Sequence, residues 1–158
     1  KQKNNKIKYH KINRHDTEKI VCKVCNLKQN ISNQCIQCNI EFGKYYCKIC
    51  KFYDNDISKQ QFHCEKCGIC RVGGKENFYH CDSCNSCISI TLKDNHKCIS
   101  NTFHNKCPIC LEDIFNSVKP ITMMKCGHSI HQECFTDLLK SNNIKCPYCN
   151  KSVIDITK

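Results

Sequence analysis

CPICLEDIFNSVKPITMMKCGHSIHQECFTDLLKSNNIKCPYCN, residues 107–150, is the stretch on which the fold turns. Reduced to its potential metal ligands it reads Cys107-x2-Cys110-x15-Cys126-x-His128-x2-His131-x2-Cys134-x11-Cys146-x2-Cys149. Eight thiolate and imidazole ligands make two four-coordinate sites, the ligand count and donor type of structural zinc. Between the sixth and seventh ligands, Cys134, Leu138 and Leu139 form an apolar stripe at helical spacing. A short helix over Gln132–Lys140 is therefore expected.

Cysteine chemistry extends beyond that segment. The chain has 158 residues, of which nineteen are cysteine and none tryptophan. With so little apolar surface, small units of this kind need disulfides or metals to fold. An odd cysteine count leaves one thiol outside any closed disulfide framework. Seven C-x2-C pairs, starting at Cys22, Cys35, Cys47, Cys64, Cys81, Cys107 and Cys146, suit shared metal ions better than separate disulfides. Zinc thiolates imply a reducing compartment, so cytoplasm or nucleus is expected.

The formal net charge is +11 with cysteines counted as neutral. Six Zn2+ ions bring twelve positive charges and nineteen thiolates bring nineteen negative ones, leaving about +4. That small charge, without an aromatic surface interleaved with basic residues, argues against a nucleic-acid binder. No apolar run approaches the roughly 20 residues of a membrane span, so no membrane partner is expected. The chain starts at Lys1 rather than methionine, and an upstream segment is expected.

Working back from Cys107, residues 99–106 carry no ligand pattern and read as a linker. Before them the sequence repeats with a seventeen-residue step: Cys47, Cys64, Cys81 and Cys98; Cys50, Cys67 and Cys84; Cys70 and Cys87; His63 and His80. A fixed period marks stacked supersecondary units. A histidine and its neighbouring cysteine rarely reach one tetrahedral ion, so they are split between sites. The expected quartets are Cys47, Cys50, Cys64 and Cys67; His63, Cys70, Cys81 and Cys84; and His80, Cys87, His96 and Cys98, with a joint role for Cys67 and Cys70 as the open alternative. Upstream, Cys22, Cys25, Cys35 and Cys38 make one further structural zinc site. Six zinc ions are expected in all.

The residue after the second cysteine is Asn26, Asn39, Gly68, Asn85 or Asn150 in five of the seven pairs. These types tolerate the left-handed conformation that a metal knuckle requires. Beyond residue 150 a short tail carries Val153, Ile154 and Ile156, expected to pack as a strand. His15 and His104 match no quartet and read as solvated histidines.

The carboxy-terminal pattern resembles a RING-H2 domain at all eight ligand positions and every spacer. A PHD-type finger fits worse, because the two histidines hold the fourth and fifth positions. The resemblance implies an interleaved cross-brace, with Cys107, Cys110, His131 and Cys134 on one ion and Cys126, His128, Cys146 and Cys149 on the other. It also implies that Ile109, Leu138 and Pro147 form a shallow groove for a ubiquitin-conjugating enzyme, with Asn150 beside it. Many such ligases have tryptophan where this chain has Leu138, and arginine where it has Asn150. That arginine normally bridges ubiquitin and its carrier.

His10-x3-Arg14, the first cysteine quartet, Phe42-Gly43-Lys44-Tyr45-Tyr46-Cys47 and His63-Cys64-Glu65-Lys66-Cys67-Gly68-Ile69-Cys70-Arg71 extend the resemblance to the RING finger and CHY zinc finger ubiquitin ligases. The family implies an irregular, metal-dominated fold: a partial CHY-type finger at 1–41, a CTCHY-type finger at 42–106, the RING-H2 at 107–150 with one short helix, and a tail at 151–158. His10 is expected to ligate zinc with residues lying upstream. A ubiquitin ligase with no covalent intermediate of its own is implied, with a conjugating enzyme, ubiquitin and a protein substrate as partners. The alternatives are a non-catalytic zinc scaffold and a nucleic-acid-binding zinc protein. A deaminase is excluded: the proline lies inside the Cys146–Cys149 pair, and eight ligands on two ions leave no open position for water.

Overall fold

The computed structural model describes residues 13–153, and His10, Ile154 and Ile156 lie outside them. The chain falls into two compact units, one up to Lys59 and one from Gln60 onward. The break falls within residues 42–106, and the later repeats share one apolar core with residues 107–153.

Secondary structure is short and local. In the first unit, β1 (Lys19–Val21) pairs antiparallel with β2 (Lys28–Asn30), and β3 (Tyr45–Cys47) with β4 (Phe52–Asp54). In the second, β5 (Phe62–Cys64) pairs with β6 (Ile69–Arg71), β7 (Phe78–Cys81) with β8 (Ser86–Ser89), and β9 (Ile121–Met123) with β10 (Ser129–His131). One helix, α1 (Gln132–Lys140), follows β10 directly. Two-stranded hairpins are marginal in water by themselves. What closes them is the cluster of cysteines at their tips.

The seventeen-residue period is the period of the hairpins. Cys47, Cys64 and Cys81 end β3, β5 and β7, opposite Phe52, Ile69 and Ser86. Each C-x2-C pair forms the turn. All seven residues after the second cysteine have positive φ: Asn26, Asn39, Gly68, Asn85 and Asn150, and also Lys51 and Leu111. The turn imposes this conformation even on residue types that disfavour it. In five knuckles the amide of this residue bonds the carbonyl of the first cysteine, from Asn26 to Cys22 through Asn150 to Cys146.

The first repeat differs in one instructive way. Tyr46 and Tyr53 face each other across β3–β4, where the next two hairpins carry His63 with Cys70 and His80 with Cys87. Their rings stack at 4.7 Å, and the Tyr53 hydroxyl donates to the Ser32 carbonyl at 2.8 Å. An aromatic pair there does the packing that metal ligation does later.

In the second unit, Ile88, Phe103, Ile114, Met124, Ile130 and Val153 build the apolar core around buried cysteines. Residues 99–106 are not a free linker. Thr102 and Phe103 are buried, in a 3-10 turn spanning Thr102–His104, because Phe103 supplies apolar area that zinc ligands cannot. Of the tail, Ser152 bridges to Lys145 and Val153 is buried.

Candidate metal centres

The nineteen cysteines are all free thiols. A tetrahedral ion with Zn–S of about 2.3 Å holds its sulfurs roughly 3.8 Å apart, against about 2.05 Å in a disulfide. In the first unit Cys22 Sγ lies 3.6 Å from Cys38 Sγ, and Cys25 Sγ lies 3.5 Å from Cys35 Sγ. Those separations fit the edges of a zinc tetrahedron. The Cys38 amide, with that of Gln37, pushes the Cys35 thiol down to about 6, and the Cys25 amide likewise lowers Cys22. Their neighbours Cys25 and Cys38 are pushed up instead, because the amides of Leu27 and Ile40 are outweighed by burial and the adjoining thiols.

The repeats bring different residues together from those the spacing suggested. Cys64, Cys67, His80 and Cys87 form one quartet, and Cys81, Cys84, His96 and Cys98 another. Cys67 Sγ is 3.3 Å from His80 Nδ1 and 3.6 Å from Cys87 Sγ. Cys64 and Cys67 are therefore not joined to Cys47 and Cys50, nor Cys81 and Cys84 to His63 and Cys70, nor His80 and Cys87 to His96 and Cys98. The reason is strand geometry. His80 and Cys81 are adjacent on β7 and point to opposite faces. His80 shares its face with its cross-strand partner Cys87, and that pair looks back to the preceding knuckle. His63 and Cys70 are cross-strand partners in the same way, with Nδ1 and Sγ 3.9 Å apart.

Outer contacts orient the histidines. His80 Nε2 lies 3.7 Å from Asp82, whose carboxylate is paired with Lys66 at 2.6 Å. The lysine holds the Asp82 carboxyl below its ordinary value. His96 Nδ1 sits 2.7 Å from the Leu92 carbonyl, leaving Nε2 toward Cys81 and Cys98 at 3.4 and 2.9 Å. A bonded outer nitrogen fixes the tautomer that ligates.

The last eight ligands group in interleaved order. Cys107, Cys110, His131 and Cys134 converge, with Cys110 Sγ 3.2 Å from His131 Nδ1. His128 Nδ1 lies 3.5 Å from Cys126 Sγ and 3.7 Å from Cys146 Sγ, and Cys149 bonds to both of those thiols. Burial raises the Cys107 thiol, but the amides of Cys110, His131 and Ile109 outweigh it and bring it to about 6.

Beside these centres Ile109 is 45% exposed, and Pro147 and Asn150 are exposed too. Leu138, expected to line the groove, is only 6% exposed and belongs to the buried face of α1. Leu111 and Tyr148, at 67% and 40% exposed, are accessible apolar side chains near Ile109 and Pro147 in sequence. Tyr148 stacks on the ligand His128 at 5.0 Å and its hydroxyl donates to the Lys106 carbonyl. His104 is exposed, as expected, but it also has partners: its ring stacks on Phe115 at 4.1 Å and its Nε2 meets the Asn85 carbonyl at 2.9 Å. Nothing in the local spacing announced the Phe115 contact.

Comparison with known proteins adds an independent line. The Ring finger domain family matches residues 105–150. The chain is 45% identical over 149 residues to E3 ubiquitin-protein ligase SRFP1 of Oryza sativa subsp. japonica, covering 94% of this chain and 57% of that protein. It is 43% identical over 148 residues to E3 ubiquitin-protein ligase RZFP34 of Arabidopsis thaliana, covering 94% and 51%. It is 32% identical over 156 residues to Zinc finger protein BRUTUS of Arabidopsis thaliana, covering 96% and 12%. The chain thus spans about half the length of the two ligases. Among the described residues, no helix is long and apolar enough to cross a membrane.

Proposed function

Since the chain belongs to the RING-H2 family of these ligase relatives, we propose that it acts as a ubiquitin ligase, recruiting a ubiquitin-conjugating enzyme and lowering the barrier to transfer by positioning. The observation that carries this reading is the interleaved pair of quartets at residues 107–149 beside the exposed Ile109 and Pro147. Ile109 and Pro147 are the contacts for the conjugating enzyme, and Asn150 faces the bound ubiquitin. Leu138 supports the groove from beneath.

Zinc here is structural: it holds the loops, and four protein ligands per ion leave no position for substrate. The chain needs no nucleophile, because the thioester belongs to the conjugating enzyme. Its contribution is to restrict the arrangement of thioester and lysine, a gain in effective concentration. The modules before residue 107 take the protein substrate, in the cytoplasm or nucleus, where thiols remain reduced.

Six ions complete the metal complement. Five quartets follow from side chains already described. The sixth rests on the ligand count alone: nineteen cysteines with His63, His80, His96, His128 and His131 supply the ligands of six four-coordinate ions. The test of function is single-turnover discharge of ubiquitin from a charged conjugating enzyme to free lysine. Acceleration by the zinc-loaded chain across a panel of such enzymes supports the ligase reading. Binding without acceleration by any of them replaces it with a scaffold.

A further inference from the structure

Arg71 closes β6, immediately after the ligand Cys70. Its Nη1 donates to the Phe115 carbonyl at 2.8 Å, and its guanidinium carbon lies 4.7 Å from the Phe115 ring centroid. Nη2 donates to Ser86 Oγ at 3.3 Å, and Cys67 Sγ, a member of the repeat quartet, is 4.0 Å away. His104 also stacks on the Phe115 ring, at 4.1 Å, and is held in turn by the knuckle carbonyl of Asn85. Phe115 belongs to the long loop between Cys110 and Cys126. One ring of the carboxy-terminal module is therefore held by two groups, Arg71 and His104, that are anchored to the preceding hairpins.

A second attachment holds the opposite part of the module. Thr102 Oγ1 donates to the Gly127 carbonyl at 3.1 Å, between the ligands Cys126 and His128. Gly127 sits against the Lys97 carbonyl so closely that a Cβ there would lie 2.3 Å from it. The shared apolar core is non-directional. Two polar attachments, made by residues on different ligand loops, add a direction to it.

We infer that Arg71 is a positioning residue: with Phe115 it locks the RING against the preceding zinc hairpins, and so selects which lysines a bound conjugating enzyme can reach. The selection rests on the ligase reading; the locking does not. A planar guanidinium suits the task, since one group bonds a carbonyl, a hydroxyl and an aromatic face together. A lysine offers a point charge without that fork. Neither Arg71 nor Phe115 is a zinc ligand, and neither belongs to the proposed groove.

The experiment uses the full zinc-loaded chain with Arg71→Ala, Arg71→Lys and Phe115→Leu. Residual dipolar couplings of backbone amides in residues 62–98 and 107–150 report orientation without any ubiquitin chemistry. The wild type is expected to fit one alignment tensor, and each variant to need two. Native mass spectrometry should find zinc unchanged, and discharge to free lysine should stay within about twofold, since that reaction needs only the RING. The set of lysines modified in autoubiquitination should broaden, most in Arg71→Ala and Phe115→Leu. A single tensor in all three variants overturns the lock. Two tensors with an unchanged lysine pattern overturn the selection. Loss of zinc in Phe115→Leu would show a structural role instead. If no conjugating enzyme is discharged by the wild type, the tensors still decide the lock, and it is the ligase reading that falls.

Discussion

His80 faces Cys87 directly across the β7–β8 hairpin, and both reach back to Cys67, at 3.3 and 3.6 Å. The β7–β8 hairpin therefore completes the site begun by the knuckle of the β5–β6 hairpin. This handover gives the repeat a directional response to mutation.

Removing Cys87 should empty the quartet that starts at Cys64 and spare the one that starts at Cys81. Cys87→Ser in the cobalt-substituted protein is expected to lose one equivalent of metal relative to the wild type, with the remaining thiolate-to-cobalt absorption preserved. Simultaneous loss of the Cys81 quartet would contradict the handover.

Acid should strip the metal. Metal ligation needs thiolates, and protons compete with the ion for them, so affinity falls as pH falls. Zinc captured by a colorimetric chelator should rise as pH falls and stay low toward pH 9; the opposite slope would mean that thiolates are not the ligands.

Gly127→Ala should weaken the carboxy-terminal core. Gly127 has φ of 92° and no room for a Cβ beside Lys97 and Ile99. A left-handed alanine with a backbone clash costs on the order of 1–3 kcal/mol. The midpoint of thermal unfolding is expected to drop, and an unchanged midpoint would mean that this contact carries no strain.

Asn150→Arg should accelerate ubiquitin discharge without tightening binding of the uncharged conjugating enzyme. Asparagine offers two donors where arginine offers five, so the bound thioester is held less firmly. Several-fold is expected, equivalent to about 1 kcal/mol of barrier. Asn150 has φ of 57°, a conformation that Lys51 and Leu111 also adopt in this fold, so arginine is sterically admissible. No acceleration in an otherwise active protein would mean that another residue already holds ubiquitin.

Much of this was legible in the sequence because metal ligands are few in type and rigid in spacing. The knuckles were visible as C-x2-C pairs, and the left-handed turns as Asn and Gly after them. The pairing of ligands within the repeat was not, because a seventeen-residue period places equal spacing on both sides of each hairpin. Only the opposite facing of His80 and Cys81 on one strand resolves it. Arg71 and Phe115 are 44 residues apart and share no motif, so their contact becomes visible only once the chain is folded. Leu138 was expected to line the groove because the RING-H2 resemblance places it there; in the fold it lies on the buried face of α1.

The most direct test compares the wild type with Ile109→Ala in single-turnover discharge of a charged conjugating enzyme. Ile109 lies between two zinc ligands yet is 45% exposed, so its loss should leave metal content and thermal stability almost unchanged. The wild type is expected to accelerate discharge, and the variant to fall to the rate of the conjugating enzyme without the chain. An Ile109→Ala variant as active as the wild type, across a panel of conjugating enzymes, would contradict the assignment of this surface.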